Sequence, residues 1–247
     1  MKVTAIVSTY NAERFLEGRL DDLLAQTLYQ QGQLEIVVVN SGSRQGERYI
    51  ARDYAGCITY IESLREPIYC AWNRGIRIAT GEYITNANTD DRLRPDALES
   101  LARALDTDQT VDLVYADAWV VSSENARWGQ PYTLSTRAPY YGEINWPDFE
   151  PALLLRAYFG GPNPMWRRQL HQRFGYFDES YQLAGDYEFA LRLVARGVRF
   201  KHIQDKMTLF YDNGININHS EQASMETRRA LLKWRDRIWP AIEGRPR

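Results

Sequence analysis

Gly81-Glu82-Tyr83-Ile84-Thr85-Asn86-Ala87-Asn88-Thr89-Asp90-Asp91 is the stretch that decides the fold: a short β-type run breaks into a turn carrying two adjacent carboxylates. Neighbouring Asp side chains repel each other, so a fold that sets them together after a buried strand gains something in return, commonly a hard divalent cation. The ordinary alternative is a solvated Asp-Asp turn followed by a helix cap. The surrounding chain has to decide between the two.

Upstream, short apolar runs alternate with amphipathic stretches, the pattern of strands joined by crossover helices in a largely parallel sheet. Residues 3–8 read as a strand, and Asn11 as the cap of a helix whose Leu16, Leu20, Leu23, Leu24 and Leu28 recur with the helical period. Residues 35–39 are a second strand, with Asn40-Ser41-Gly42-Ser43 as the loop at its carboxyl end. Residues 58–61, 82–86 and 111–115 are further strands, and 69–79 a crossover helix. Ligands of open α/β sheets bind beyond the carboxyl ends of the strands, which is where the loops 9–11, 40–43 and 88–91 fall. Downstream, 119–151 is rich in Tyr, Trp, Pro and Gly without helical spacing and reads as β-ribbon and loop. Regularity returns at 166–174 and at 186–196, where Tyr187, Ala190, Leu191 and Val194 share one helix face and Glu188 can pair with Arg192.

The 247 residues suit one elaborated α/β domain. A formal charge of −2 and interspersed basic residues argue against a nucleic acid partner. Cys57 and Cys70 form no metal-type pair or disulfide framework, which suits a reducing compartment. The amino terminus enters a strand without a secretory signal's apolar region, and no run approaches the length of a membrane span, so a cytoplasmic protein is expected. From His219 onward the chain has seven Lys/Arg against four Asp/Glu, with Leu231, Trp234 and Ile238 at helical spacing. That helix either packs on its own domain or rests peripherally on the inner face of a membrane.

Several motifs in order resemble those of the inverting nucleotide-sugar glycosyltransferases known as glycosyltransferase family 2. Ser8-Thr9-Tyr10-Asn11 is similar to that family's opening Pro/Ser-Thr-Tyr-Asn element, and Ala71-Trp72-Asn73-Arg74-Gly75 to its Ala-Arg-Asn-x-Gly helix start. Residues 79–84 and Asn88-Thr89-Asp90-Asp91 occupy the places of Ala-x-Gly-Glu-Tyr-Ile and Asp-x-Asp-Asp, while Gly175-Tyr176-Phe177-Asp178-Glu179 and Gly185-Asp186-Tyr187-Glu188 resemble Gly-Phe-Asp-Glu and Glu-Asp-Tyr-Glu. The resemblance implies a GT-A type fold: a Rossmann-like, mostly parallel central sheet flanked by helices, an irregular acceptor-side region and a C-terminal helix. It implies one domain over 1–247, with a nucleotide-sugar-binding half at 1–116, an acceptor-side half at 117–218 and a helical tail at 219–247.

The activity so implied is metal-dependent inverting transfer of a sugar from a nucleoside diphosphate to a hydroxyl of a glycan or lipid-linked saccharide. A divalent ion, Mn2+ or Mg2+, held by carboxylate and phosphates neutralises the leaving diphosphate. Asp90 is the expected ligand. His219, in a polar turn, completes the metal shell, donates to a phosphate, caps the following helix or sits exposed. Donor contacts fall on Thr9, Tyr10, Asn11, Asn40, Gly42, Asn73, Asn88 and Asp90. Asp186 is the expected general base, with Asp178 and Glu188 in reserve. Trp166 is a candidate for stacking on a sugar or for the core, Arg167 and Arg168 for phosphate or solvent, and Tyr140, Tyr141 and Trp146 for covering the acceptor cleft. Two departures stand out: Asn88 replaces an Asp, and Asn40-Ser41 replaces the Asp-Asp pair of the family's base-contacting loop. Two rival activities follow. A nucleotidyltransferase would share the fold and metal ligands, but the loop 8–11 is neither Gly-rich nor basic; the lost carboxylates would instead suit a non-catalytic sugar-nucleotide-binding protein.

Overall fold

Apolar runs buried on both faces set the sheet. In β1 (Val3–Thr9), Val3, Ala5 and Val7 join one core and Ile6 joins the other, as the period of a strand requires. The computed structural model describes residues 2–214 and 220–242, with side chains to residue 238. After β1 come α1 (Glu13–Leu24), α2 (Thr27–Gln30), β2 (Leu34–Ser41), α3 (Glu47–Asp53), β3 (Thr59–Ser63), α4 (Ile68–Ile78), β4 (Tyr83–Asn86), β5 (Arg92–Leu93) and α5 (Ala97–Thr107). The chain continues through β6 (Leu113–Val121), β7 (Glu143–Ile144), α6 (Pro151–Leu154), β8 (Met165–Arg167), α7 (Gln169–Phe174), α8 (Gly185–Val194), β9 (Phe200–Tyr211) and α9 (Glu221–Ile242).

The sheet order is β3-β2-β1-β4-β8-β6-β9-β5, with β7 beside β6. β3, β2, β1 and β4 are parallel; β8 runs antiparallel to β4 and β6, so β6 and its parallel neighbour β9 point the same way as β1. One face carries α1 and α5 through Leu16, Leu20, Leu23, Leu98, Leu101 and Leu105. The other carries α4, α8 and α9 through Trp72, Ile76, Leu191, Leu193, Trp234 and Ile238. The expected α/β fold with a mostly parallel sheet is thus present.

Several local expectations change. Asn11 does not cap α1: its φ is 50°, and its Oδ1 accepts from the Arg44 backbone N–H at 2.9 Å, while Ala12 precedes the helix and donates its N–H to Glu47 Oε1 at 2.6 Å. Asn40 and Ser41 are the last residues of β2 rather than loop, and both are buried. β9, which has no counterpart in the sequence reading, runs for 12 residues along β6. Trp166 is core, with its Nε1 hydrogen bonded to His171 Nε2 at 2.9 Å. Arg167 is buried and donates to the carbonyls of Val111 and Leu105, and Arg168 donates to that of Gly81, so neither stands ready for a phosphate. On α9, Ala230, Trp234 and Ile238 are buried against the domain, whereas Met225 and Leu232 face outward. Among the described residues no helix is long and apolar enough to cross a membrane.

Candidate active site

The acidic turn is held from beneath by buried charge. Arg19 lies on the apolar face of α1, fully buried, and donates Nε to the Asn88 carbonyl at 2.7 Å and Nη1 to Asp22 at 2.8 Å. Arg92, the first residue of β5, donates Nη1 to the carbonyls of Thr89 and Asp91, and Asp22 accepts the Leu93 backbone N–H at 3.1 Å. Burial, and then the neighbouring Arg19, lowers the Arg92 guanidinium to about 10, and burial raises the Asp22 carboxyl.

Within the turn the two Asp residues differ. Asp91 is buried and already occupied: Oδ1 accepts from the Tyr211 N–H at 3.2 Å, at the end of β9, and Oδ2 from Asn88 Nδ2 at 3.2 Å. Burial, then the charge of Asp90, pushes Asp91 up to about 7. Asp90 is half-buried and makes no hydrogen bond or ion pair among the described residues. Its carboxylate is the one free to bind, and the Asn88 amide, having spent a donor on Asp91, keeps its Oδ1.

Asp186 is set differently. It is the second residue of α8, after Ala184 and Gly185. A Cβ on Gly185 would lie 2.7 Å from the Tyr69 ring, so glycine there lets Tyr69 approach. Tyr69 Oη donates to Asp186 Oδ1 at 3.1 Å, and the Tyr187 N–H donates to the same oxygen at 2.8 Å. Oδ2 has no partner among the described residues. Burial raises the Asp186 carboxyl above its ordinary value, partly opposed by those two hydrogen bonds; burial and the Asp186 charge in turn raise the Tyr69 and Tyr158 hydroxyls. The reserve carboxylates are engaged elsewhere. Asp178 pairs with Lys233 at 3.1 Å, and Glu188, fully buried, binds Arg192 at 3.0 Å, Lys233 at 3.0 Å and Trp234 Nε1 at 2.8 Å.

Two adjoining cavities meet at Asp186. The first, of about 470 Å³, is lined by Ser8, Tyr69, Asn88, Asp90, Arg137 and Asp212, among others. The second, of about 510 Å³, runs between Trp146, Tyr158, Tyr187 and Pro164. Trp72, Asn88, Tyr140, Leu183, Asp186 and Phe210 stand on both. Each volume lies in the range of small-molecule sites.

The remaining expected donor residues form a cluster at the carboxyl edge of β1 and β2. The Asn11 N–H donates to Ser43 Oγ at 3.0 Å, Asn40 Oδ1 accepts the Ser43 N–H at 3.0 Å, and Asn40 Nδ2 donates to Tyr60 Oη at 2.8 Å. Gly42 has φ +67°, and a Cβ there would lie 2.7 Å from the Arg65 N, so only glycine closes this loop without strain. The Arg65 guanidinium sits 3.8 Å over the Tyr10 ring, and Thr9 Oγ1 is buried without a hydrogen-bond partner among the described residues. Ser8 joins this cluster to the first cavity. Asn73 is placed elsewhere: it is buried, and its amide bridges the backbone of Phe177 and the Glu179 carboxylate at 2.9–3.0 Å, a structural task with no group left for a donor. His219 lies outside the described residues. Sequence reasoning missed Arg19, Arg137 and Tyr211. Only Arg19 left a signal, as a charge among the apolar positions Phe15, Leu16, Leu20 and Leu23.

A mostly parallel sheet with an acidic turn at its carboxyl edge, beside a carboxylate shared by two cavities, defines an α/β protein of the GT-A class. The chain belongs to glycosyl transferase family 2, whose model matches residues 4–160. It is 28% identical over 215 residues to the uncharacterized glycosyltransferase EpsJ of Bacillus subtilis, covering 85% of this chain and 61% of EpsJ, so the chain spans less than two thirds of that relative. Its fold matches S. aureus TarS 1–349 in complex with UDP-GlcNAc at a TM-score of 0.67 and 17% identity, covering 96% of this chain and 72% of that one. It also matches the mannosyltransferase PcManGT of Pyrobaculum calidifontis in complex with GDP-Man and Mn2+, at a TM-score of 0.65 and 23% identity, covering 98% and 64%.

Proposed function

We propose that the chain transfers a sugar, with inversion, from a nucleoside diphosphate to a hydroxyl of a glycan or lipid-linked saccharide, in a metal-dependent reaction. One observation carries this reading: the free carboxylate of Asp90 and the raised carboxyl of Asp186 line one cavity, and Asp186 also lines a second, adjoining cavity. The first cavity takes the donor diphosphate and the second takes the acceptor. On this reading residues 1–116 form the donor half, which supplies Asp90, and residues 117–218 the acceptor half, which supplies Asp186.

The acidic lining of a cavity that must hold a diphosphate fits a bound cation. A divalent ion at such a site is held by one or two carboxylates together with the donor's phosphates. Asp90, with Asn88 Oδ1 beside it, would hold that ion, which when bound supplies Lewis-acid neutralisation of the leaving group. Asp186 Oδ2 takes the acceptor proton. The acceptor oxygen bonds to the anomeric carbon as the bond to the diphosphate oxygen breaks on the opposite face, and the electron pair leaves with the diphosphate. Thr9, Tyr10, Asn11, Asn40 and Gly42 shape the nucleoside end, with the Tyr10–Arg65 stack at its rim. Trp146 and Tyr140 wall the acceptor side. The exposed Met225 and Leu232 of α9 offer a peripheral contact with a membrane that carries a lipid-linked acceptor.

The test is a thermal-shift panel of UDP-, GDP- and dTDP-sugars with and without Mn2+ or Mg2+, because a ligand that binds only the folded state raises its apparent stability. At least one donor should raise the melting temperature more with metal than without, and that donor should hydrolyse slowly to free sugar. No shift with any donor would overturn the reading, and binding without hydrolysis or transfer would favour the non-catalytic rival.

A further inference from the structure

The first cavity has a charge problem. Asp90, Asp91, Asp186 and Asp212 stand on its wall, and among the described residues that line it Arg137 is the only cation. Trp72 and Asn88 also line this cavity, and neither carries a charge. Position 72 therefore supplies no cation and position 88 no carboxylate to the site. An amide in place of a carboxylate holds a divalent ion more weakly, so less positive charge is secured for a leaving diphosphate.

Arg137 sits on the irregular segment between β6 and β7 and is fixed on one edge only. Nη1 donates to the Asp212 carbonyl at 3.1 Å and lies 3.6 Å from Asp212 Oδ1. Asp212 is itself secured, accepting from Ser135 Oγ and donating its N–H to the Val121 carbonyl at 2.8 Å. The Arg137 side chain is 55% exposed, and its Nε and Nη2 have no hydrogen-bond partner among the described residues. A planar guanidinium held at one corner with its other donors free is the geometry that grips a phosphate through paired hydrogen bonds.

We propose that Arg137 is a catalytic residue that binds the leaving diphosphate, supplying from the acceptor half the cation that position 72 lacks. This rests on the transferase reading above. As the anomeric carbon–oxygen bond breaks, the electron pair moves onto the diphosphate oxygen and Arg137 meets that charge, while the proton of the attacking hydroxyl goes to Asp186.

Calorimetric titration of the full chain with UDP, GDP and dTDP, with and without Mn2+, tests it. For whichever nucleoside diphosphate binds, Arg137→Ala should weaken affinity about 10- to 100-fold, the scale of a lost charged hydrogen bond, and Arg137→Lys should restore part of it. Asp212→Asn separates binding from a structural lock: it removes the competing carboxylate and should tighten diphosphate binding. Equal losses in Arg137→Ala and Asp212→Asn, or unchanged affinity in an Arg137→Ala protein that melts like the wild type, would overturn the assignment. If the wild type binds none of the three nucleotides with or without metal, the transferase reading fails first and takes this one with it.

Discussion

Of the carboxylates on the first cavity, Asp90 and Asp186 are held by opposite means. The turn that carries Asp90 rests on a buried network of Arg19, Asp22, Arg92 and Asp91, whereas Asp186 sits among the rings of Tyr69, Tyr158 and Tyr187. Fixed charges beneath the turn orient its backbone and leave one carboxylate of two free. Aromatic walls around Asp186 lower the local polarity and raise its carboxyl toward the range useful to a base. On the proposed reading, the first construction suits the cation and the second suits the proton.

The comparison breaks most directly in the two carboxylates themselves. Asp90→Ala should give the largest effect, abolishing metal-dependent donor affinity and, with several kcal/mol of leaving-group stabilisation gone, lowering kcat/KM by roughly three orders of magnitude or more. Asp186→Asn should lower turnover about 10²–10⁴-fold while donor affinity stays near that of the wild type. Calorimetry with Mn2+ and single-turnover transfer read the two quantities apart. Unchanged donor affinity in Asp90→Ala would remove the metal from that turn, and equal loss of donor affinity in both variants would dissolve the division of labour.

How much of this contrast could be read from the chain depends on the range of the contacts. The parallel strands β1, β2 and β4 were legible because burial on both faces makes continuous apolar runs, and Asp90 and Asp186 could be singled out as candidates because each lies in a short local motif. β9 was not. Its pairing with β6 slips between Ala116 and Ala118, from Ile203 to Lys206 to Thr208, so its alternation changes phase midway and no single period-two pattern spans it. Hidden with β9 was Tyr211, whose N–H fixes Asp91 across 120 residues of sequence. Asn73 failed for the complementary reason: a motif position marks a residue without saying whether its amide faces a ligand or, as here, the turn at 177–179. The expected helix cap at Asn11 was displaced by a long-range bond of the same kind, to Arg44.

The charged side of the comparison can be tested by stability. Arg19→Met keeps most of the side-chain volume but leaves the Asp22 carboxylate without its ion-pair partner and the Asn88 carbonyl without its donor. Breaking one member of a buried network typically costs about 3–5 kcal/mol, so the denaturant midpoint should fall by a corresponding amount and donor affinity should fall with it. A variant with wild-type stability and donor binding would mean that packing, rather than charge, holds the turn.

The aromatic side is tested by a smaller change, Tyr69→Phe, which keeps the ring beside Gly185 and removes only the hydroxyl bonded to Asp186. Asp186 must be ionised to accept a proton, so turnover falls as pH drops through its pKa, and because burial has raised that pKa the acid limb should lie above the ordinary carboxylate range. The Tyr69 hydroxyl stabilises the ionised form. Its loss should therefore raise the pKa further and move the acid limb to higher pH by about one unit, the equivalent of a hydrogen bond of roughly 1–1.5 kcal/mol, with the plateau rate at high pH little changed. The pH profile of single-turnover transfer reads this shift. A limb that stays in place would mean that the Tyr187 N–H alone sets the ionised form, and a limb that moves to lower pH would show that the Tyr69 hydroxyl acts on Asp186 with the opposite sign.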